Sequence, residues 1–539
     1  VLTMLIVPVM LSESVAVPAH FTAVRTGMYL IYLDAGWSYR EDDGKLCIFS
    51  GWAITGNGEV LSLSETAPDV LEKELKSADG YFCFIVIEND VIQVMKSLYR
   101  YCDVYYGKTA FGAIIGTGLK DVARISGTKT ITRDFIRSFI RDSFQAAFLS
   151  PLHNTGKAYS GCLTRIDREN IHTEAFVNLS PLKKNTLDVI ITIVKKLPAD
   201  LPLALYLSGG LDSSIVFFCL LAADKPFTVF HCLPFSFETD AERADAHRLC
   251  RKYNITLTEL KPGYTTDRQI PNRVNHPSDC PVVNTFWLNA SDGLTQDMSG
   301  WFCLDGHGGD SVFIQSPSVR IIRDLIRVGK PIQALRTAFR FAALKSRSLH
   351  SVLASAYKTE PAKRTHVHPL LVGHIPGTAW YEYLEELIRI SESTVSIFPD
   401  GPAVKFSPLI SLSVIRSRLA VRYEDNIRAW HDRAGIRREA LTRFKDPVFI
   451  KKTKRSSSQL IFTIIRQYED ELIAFVVRYG TYILDNPEAM IEEIRYNAHV
   501  ELNGSLPEIL SLIKLMVFSQ KMEADFFDAE SRHEFFEFV

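Results

Sequence analysis

Over roughly the first 180 residues, apolar side chains come in short runs or alternate with polar ones, and turn residues separate the runs. A period of two is that of strands, and residues 29–34, 46–53, 81–88 and 91–98 are the clearest cases. Glu88-Asn89-Asp90, between the last two, predicts a hairpin turn. The period then lengthens. Residues 131–149 carry apolar positions at helical spacing, Phe135, Phe139, Phe144 and Phe148 among them. A second helix is expected over 187–197, with Asn185 or Thr186 placed to cap it. Pro198 and Pro202 divide it from the next apolar run. From there the pattern alternates: strand 203–207, helix, strand 227–233, helix 240–253, strand 301–305. That is the rhythm of a parallel sheet with helices on both faces, so the chain is assigned to the α/β class. Domains are expected over 1–180 and 181–539. Beyond residue 318 the chain reads as mostly helical, and 458–479 and 506–526 stand out.

Length agrees with that division, since 539 residues exceed one ordinary core. The apolar start, Val1 to Leu11, lacks a positively charged leading region and is interrupted by Pro8, so it reads as a first strand rather than an export signal. No other run approaches the length of a membrane span, and the expectation is a cytoplasmic protein with no membrane partner. Lys and Arg number 61 against 62 Asp and Glu, which argues against a nucleic-acid partner. The nine cysteines are scattered without a C-x-x-C pair, as suits reduced thiols rather than a disulfide framework or a zinc site.

The candidate chemistry starts at Ser208-Gly209-Gly210-Leu211-Asp212-Ser213-Ser214, between two apolar runs. Strand, tight turn and helix follow in that order. The glycines allow a sharp turn and close approach to a ligand. Ser208, Ser213 and Ser214 add hydroxyls, and the free N–H groups of the next helix favour an anion. The loop reads as a phosphate cradle, yet no Lys follows the turn as in kinases and GTPases. Asp212 stands there instead. A carboxylate in a phosphate site calls for a divalent cation between them, usually Mg²⁺.

These residues resemble the pyrophosphate loop of the ATP pyrophosphatases, a group that includes asparagine synthetases, β-lactam synthetases, lasso-peptide cyclases, GMP synthetase and tRNA-thiolating enzymes. The resemblance implies ATP cleaved between its α- and β-phosphates. Residues 79–86 and 107–118 resemble the central sheets of the class II glutamine-amidotransferase domain of asparagine synthetases, an Ntn-type αββα sandwich. That domain uses a cysteine at the mature N-terminus. Here the first cysteine is Cys47, in a predicted strand, so a degenerate domain without glutaminase activity is expected, and an amine other than ammonia must be the nucleophile.

Asp305-Gly306-His307-Gly308-Gly309-Asp310 follows the strand at 301–305 and resembles the family turn that carries a second carboxylate. Asp310 is expected to face Asp212 at the carboxyl edge of the sheet, the two forming a Mg²⁺ site, with Gly306 and Gly308 beside ATP. His307 stands where asparagine synthetases carry Glu and β-lactam synthetases Tyr. A neutral imidazole can take a proton from an attacking amine, although a His that caps the turn or binds phosphate fits equally. Lys451-Lys452-Thr453-Lys454-Arg455 precedes a helix whose Ser456 and Gln459 stand at capping-box spacing. Cations beside a helix N-terminus are unfavourable unless an anion lies between them, though a solvated charged loop explains the run as well. By resemblance, Lys454 neutralises the departing pyrophosphate, with Lys451 and Lys452 as further contacts.

That segment, the glycine-rich turn and Gln315-Ser316-Pro317-Ser318 are similar to the lasso-peptide cyclases, those of the microcin lasso peptides above all. By the same resemblance, backbone groups of the strand holding Val229, Phe230, His231 and Leu233 recognise adenine, though a plain core strand explains these residue types as well. Asp279-Cys280-Pro281 resembles a family turn. The implied activity is an ATP-dependent amide ligase. It adenylates an Asp or Glu side chain of a ribosomal precursor peptide and closes a macrolactam with the peptide's N-terminal amine. A leader-removing cysteine protease is the implied partner. A small-molecule amide synthetase of the β-lactam type, a tRNA-modifying adenylase and a non-catalytic ATP-binding scaffold stay open.

Overall fold

The computed structural model describes the chain apart from residues 1–3, 15–19, 129, 142–145, 147, 199, 233–240, 261–299, 359–366, 394–403, 430, 451–464, 467, 501–505 and 527–539. Two antiparallel sheets come first. A six-stranded sheet is ordered Thr155–Lys157, Tyr105–Thr109, Gly112–Gly116, Met4–Pro8, Tyr29–Leu33, Thr22–Thr26. The second is built on Lys45–Ile54 paired with Asp79–Glu88, the register running from Leu46 opposite Ile87 to Ile54 opposite Asp79. Nine of the ten residues of Asp79–Glu88 are buried, so this strand has protein on both faces. Asn89 and Asp90 both hold positive φ in the hairpin that joins it to Val91–Lys96, the backbone that a two-residue turn demands. Cys47 lies buried in its strand, and burial pushes its thiol up to about 11.

The expected helices are present with shifted ends. Asn185 is the cap of Thr186–Lys195, its Oδ1 accepting from the backbone of Leu187 and Asp188. The expectation over 131–149 needs correction at its start. Ile131 bridges Leu152, Thr132 Oγ1 accepts from Phe135 N, and the helix runs Arg133–Arg141. A threonine that turns its hydroxyl onto the first turn ends the strand-like segment there. Of the helix expected over 458–479, residues 458–464 and 467 lie outside the described residues, 465–466 are helical, and the helix Glu469–Ile483 follows.

The third sheet is parallel throughout, ordered Leu257–Leu260, Thr228–Cys232, Leu203–Tyr206, Phe302–Leu304, Val404–Phe406. Its order in the chain is 3-2-1-4-5. The direction of winding reverses between Leu203–Tyr206 and Phe302–Leu304, and the carboxyl ends of these two neighbours open a crevice at that switch point. The antiparallel strands pack on the parallel sheet through an aromatic cluster, with Trp52 edge-on to Phe302 and Phe406, and Tyr81 and Tyr99 against Phe406. Tyr99 Oη accepts from Ser407 N at 3.0 Å, and Asp79 Oδ1 accepts from Ser413 N at 2.7 Å. The two antiparallel sheets thus hold the strand and loop that flank the crevice.

Candidate active site

The strand Leu203–Tyr206 delivers the chain to Ser208 at the crevice, and the helix Leu211–Ala222 leaves it. Gly210 caps that helix with extended backbone and no side-chain hydrogen bond, so the first-turn N–H groups are left to the crevice. Ser208 and Ser213 brace the loop from within. Ser213 Oγ accepts from Ser208 N at 3.2 Å and lies 2.9 Å from Ser208 Oγ, which accepts from Gly210 N at 3.2 Å. Their hydroxyls are therefore partly spent on loop shape. Ser214 is fully buried, and its Oγ has no partner among the described residues. Gly209, at φ +86°, has the carbonyl oxygen of Glu242 where a Cβ would be, 2.0 Å away.

The turn from Asp305 to Asp310 closes onto this loop. A Cβ on Gly306 would lie 2.4 Å from Ser213 N, and one on Gly309 would lie 2.5 Å from Asp212 Cγ. Only bare backbone permits that approach. Gly308, at φ +80°, faces Ile410 instead. Asp212 and Asp310 then converge on a third residue absent from the sequence expectations. Arg433 Nη1 donates to Asp212 Oδ2 at 2.7 Å and to Asp310 Oδ1 at 2.6 Å. Arg433 is buried, holds a left-handed φ of 52° just before the helix Ala434–Phe444, and also pairs with Asp432 at 3.3 Å. Burial alone would lower its pKa; Asp212, Asp432 and Asp310 reverse that and raise it. An arginine that comes 221 residues after one partner and 123 after the other leaves no local signature.

Asp305 is held by Lys405, 2.9 Å away, and accepts from Ser407 Oγ. Burial raises its pKa, but Lys405, His307 and Ser407 together bring it below the ordinary range. Asp305 Oδ1 also accepts from the backbone of His307 at 3.1 Å, which orients the turn. The His307 residue is exposed to solvent. Desolvation lowers its pKa, Lys405 adds to this, and Asp305 and Asp310 pull the other way. On the adjacent strand His231 is buried, with Nδ1 2.8 Å from the carbonyl oxygen of Leu207. Leu233, Lys451, Lys452 and Lys454 lie outside the described residues.

Asp310 also lines a cavity of about 730 Å³. Its walls include Gln315, Ser316, Pro317 and Ser318, and the helix Ala379–Ser393 contributes Glu382, Tyr383, Glu386 and Arg389. Ser311 Oγ donates to Glu386 at 2.7 Å, and Arg320 pairs with Glu382 at 2.8 Å. Ile314 enters this wall at φ 60°, a conformation that strains a β-branched residue. The backbone bond from Gln315 N to Asp310 O, 2.8 Å, holds it there. Asp310 is thus common to the crevice and to the cavity wall.

The Asparagine synthase family matches residues 187–368, which include both glycine-rich segments. The chain is 24% identical to "Microcin J25-processing protein McjC" of Escherichia coli over 522 residues, 93% of this chain and 98% of that one. The resemblance to the asparagine-synthetase-like lasso-peptide cyclases thus stands. Among solved structures, the chain overlaps a glutamine phosphoribosylpyrophosphate amidotransferase from B. subtilis complexed with ADP and GMP, with a TM-score of 0.19 and 10% identity, over 38% of this chain and 51% of that one. An allosteric regulatory enzyme of purine biosynthesis overlaps with a TM-score of 0.19 and 8% identity, over 47% of this chain and 65% of that one. The chain thus spans half to two-thirds of those structures, and at such scores the overlap carries no argument about the site.

Proposed function

We propose that this chain is an ATP-dependent lasso-peptide cyclase. The observation that supports this most is the meeting of the loop Ser208–Ser214 with the turn at Gly306 and Gly309, which brings Asp212 and Asp310 to one point beside a cavity. Uncapped N–H groups of the helix Leu211–Ala222 take phosphate oxygens of ATP. Asp212 and Asp310 have the chemistry for Mg²⁺, which binds one or two carboxylates plus substrate phosphates. They already share one cationic group, Nη1 of Arg433, so a positive charge suits the point where they converge. Bound there, Mg²⁺ would neutralise charge on the phosphates.

The substrate is the core of a precursor peptide. A side-chain carboxylate oxygen of the peptide attacks the α-phosphorus, the bond to the bridging oxygen breaks, and pyrophosphate leaves against Lys454. The N-terminal amine of the peptide then attacks the acyl carbon. AMP departs, the amide closes the ring, and the amine's proton passes to His307. A neutral imidazole there can accept that proton near pH 7. Holding the two ends of one peptide together replaces a bimolecular encounter. A protease that removes the leader supplies the free amine, and the chain from residue 1 to 180 is a degenerate amidotransferase domain in this reading.

One observation favours a second reading. About 730 Å³ lies within the range of small-ligand sites, as a β-lactam-type amide synthetase requires. Exchange of labelled pyrophosphate into ATP separates the possibilities. Exchange that depends on a precursor core peptide is expected. Exchange driven only by a small amino-acid derivative would favour the second reading, and no exchange with either would leave a scaffold.

A further inference from the structure

The helices Ile321–Arg327, Pro331–Lys345 and Leu349–Tyr357 pack on one another. On Pro331–Lys345 the face made by Ala334, Thr337, Ala338 and Phe341 is buried. The other face presents apolar side chains to solvent: Ile332 is 70% exposed, Leu335 50% and Phe339 56%, with Val328 at 66% in the turn before the helix. At 3.6 residues per turn, Ile332, Leu335 and Phe339 fall within about 60° of one another, and Arg336 and Arg340 border them on one side. From Leu325 to Lys358 the sequence contains no Asp or Glu. Arg327, Lys330, Arg336, Arg340, Lys345 and Arg347 all fall in that stretch, and among the described residues none of the six is in an ion pair.

Two properties need explaining together, a solvent-facing apolar stripe and a border of one charge sign. The whole chain is balanced, 61 cationic against 62 anionic side chains, so the cations here are a local concentration. A protein partner that docks in one register ordinarily meets both signs, with donors and acceptors interspersed. The charged side chains of residues 325–358 offer donors alone. An anionic lipid surface matches both properties, with a plane of negative headgroups above an apolar layer. Arg and Lys can lay their stems along the apolar layer while their charged ends stay among the headgroups.

We propose that this face docks on anionic lipid bilayers, with Ile332, Leu335 and Phe339 entering the headgroup boundary. Among the described residues no helix is long and apolar enough to cross a membrane, so the contact is peripheral. It departs from the expectation of no membrane partner. A hydropathy window detects spans and is blind to a one-sided helix face.

The test is flotation of the full chain with vesicles of phosphatidylcholine mixed with phosphatidylglycerol, against pure phosphatidylcholine. It needs no turnover and so stands apart from the proposed activity. Binding to the mixed vesicles alone is expected, weakening as salt rises. Arg336→Gln with Arg340→Gln should lower partitioning roughly 25-fold, about fivefold per charge. Phe339→Ser should lower it on the order of tenfold. Arg327→Gln with Lys330→Gln is the second variant should the first pair unfold the chain. Equal binding to both vesicle types overturns the proposal, as does no binding. So does binding that every one of these variants leaves unchanged, which would point to the segment at 451–455. Variants that dissociate a dimer without affecting flotation would also overturn it, by making the face a self-contact.

Discussion

Glu392 Oε2 lies 3.0 Å from Lys157 Nζ, joining the helix Ala379–Ser393 to the antiparallel sheets across 235 residues of sequence. Glu392 also accepts from Ser160 N at 2.6 Å, and Lys157 reaches Asp103 at 3.2 Å. All three charged groups are buried. Between one and three turns earlier the same helix supplies Glu382, Tyr383, Glu386 and Arg389 to the cavity wall. The pair therefore positions that wall from outside the site.

The pair makes stability depend on acid. Burial raises the Glu392 pKa, but Lys157, Lys96 and the Ser160 N–H outweigh it and bring it to about 2. A depressed carboxyl stabilises the folded state above its unfolded pKa, and that stability is lost as pH falls from about 4.3 towards 2. The contribution is roughly 3 kcal/mol. Glu392→Gln should flatten that part of the pH–stability curve and lower the unfolding midpoint, since it strands part of a buried ion pair. If the pair sets the cavity wall, the variant raises KM for the peptide more than it lowers kcat. Equal pyrophosphate-exchange kinetics in both proteins, with only the unfolding midpoint lowered, would reduce the pair to a plain stabilising contact.

Asp79 works in the opposite direction. Burial raises its pKa to about 6, and the Ser413 N–H and Arg416 only partly oppose this. A raised carboxyl binds its proton more tightly in the folded state. Its stabilisation is complete below about 3.9 and is lost as pH rises through 6, leaving a penalty of roughly 3 kcal/mol at neutral pH. Asp79→Asn keeps an oxygen for Ser413 N and carries no charge. It should be more stable than the wild type at pH 7 and gain nothing at pH 4. Urea unfolding at the two pH values measures this, and an equal difference at both would refute it.

How much of this was legible in the sequence depends on range. Strands, the hairpin at Asn89-Asp90 and the cap at Asn185 follow from side-chain period and turn chemistry within a few residues. The parallel sheet was legible because buried runs alternate with helical ones, and the loop from Ser208 to Ser214 because its residue types are rare together. Arg433 and the pair Lys157–Glu392 were not. Each is an ordinary cation or anion in its own neighbourhood and acquires a partner only when the sheets close. The short strand Val404–Phe406, which carries Lys405 to Asp305, is likewise too brief for a period to show.

Arg433 predicts how the two carboxylates respond to a divalent cation. In the wild type its guanidinium offsets their repulsion. Arg433→Met leaves Asp212 and Asp310 together without it, so the apoprotein should lose stability by a few kcal/mol. Mg²⁺ then has less competition. At one fixed Mg²⁺ concentration it should stabilise Arg433→Met more than the wild type, the variant itself gaining about 1.4 kcal/mol where that concentration is ten times its Kd. Asp212→Asn and Asp310→Asn should each remove the Mg²⁺ response. A response that persists in both Asn variants would place the cation elsewhere.

The glycines of the second turn differ in what an added Cβ would meet. At Gly309 an added Cβ meets Asp212 Cβ, Cγ and Oδ1 at 2.5–2.7 Å, and at Gly306 it meets the Ser213 and Asp212 backbone at 2.4–2.8 Å. Neither glycine has a positive φ in this structure, so Ala at either fails only through the clash. Gly308 combines both, with φ +80° and a Cβ that would lie 2.3 and 2.5 Å from the buried side chain of Ile410, away from Asp212. Gly308→Ala should cost roughly 2–5 kcal/mol of stability, left-handed strain and overpacking together, and leave the KM for ATP near that of the wild type. Gly309→Ala should displace Asp212 and cut pyrophosphate exchange on the order of a hundredfold at modest cost in stability, because one residue can turn aside. Gly306→Ala should do both, since backbone cannot yield by a rotamer change. Exchange assays alongside thermal unfolding of the three variants rank them. If Gly308→Ala were the most damaging to exchange, with Gly309→Ala near wild type, the approach of the two loops would not be what the chemistry depends on.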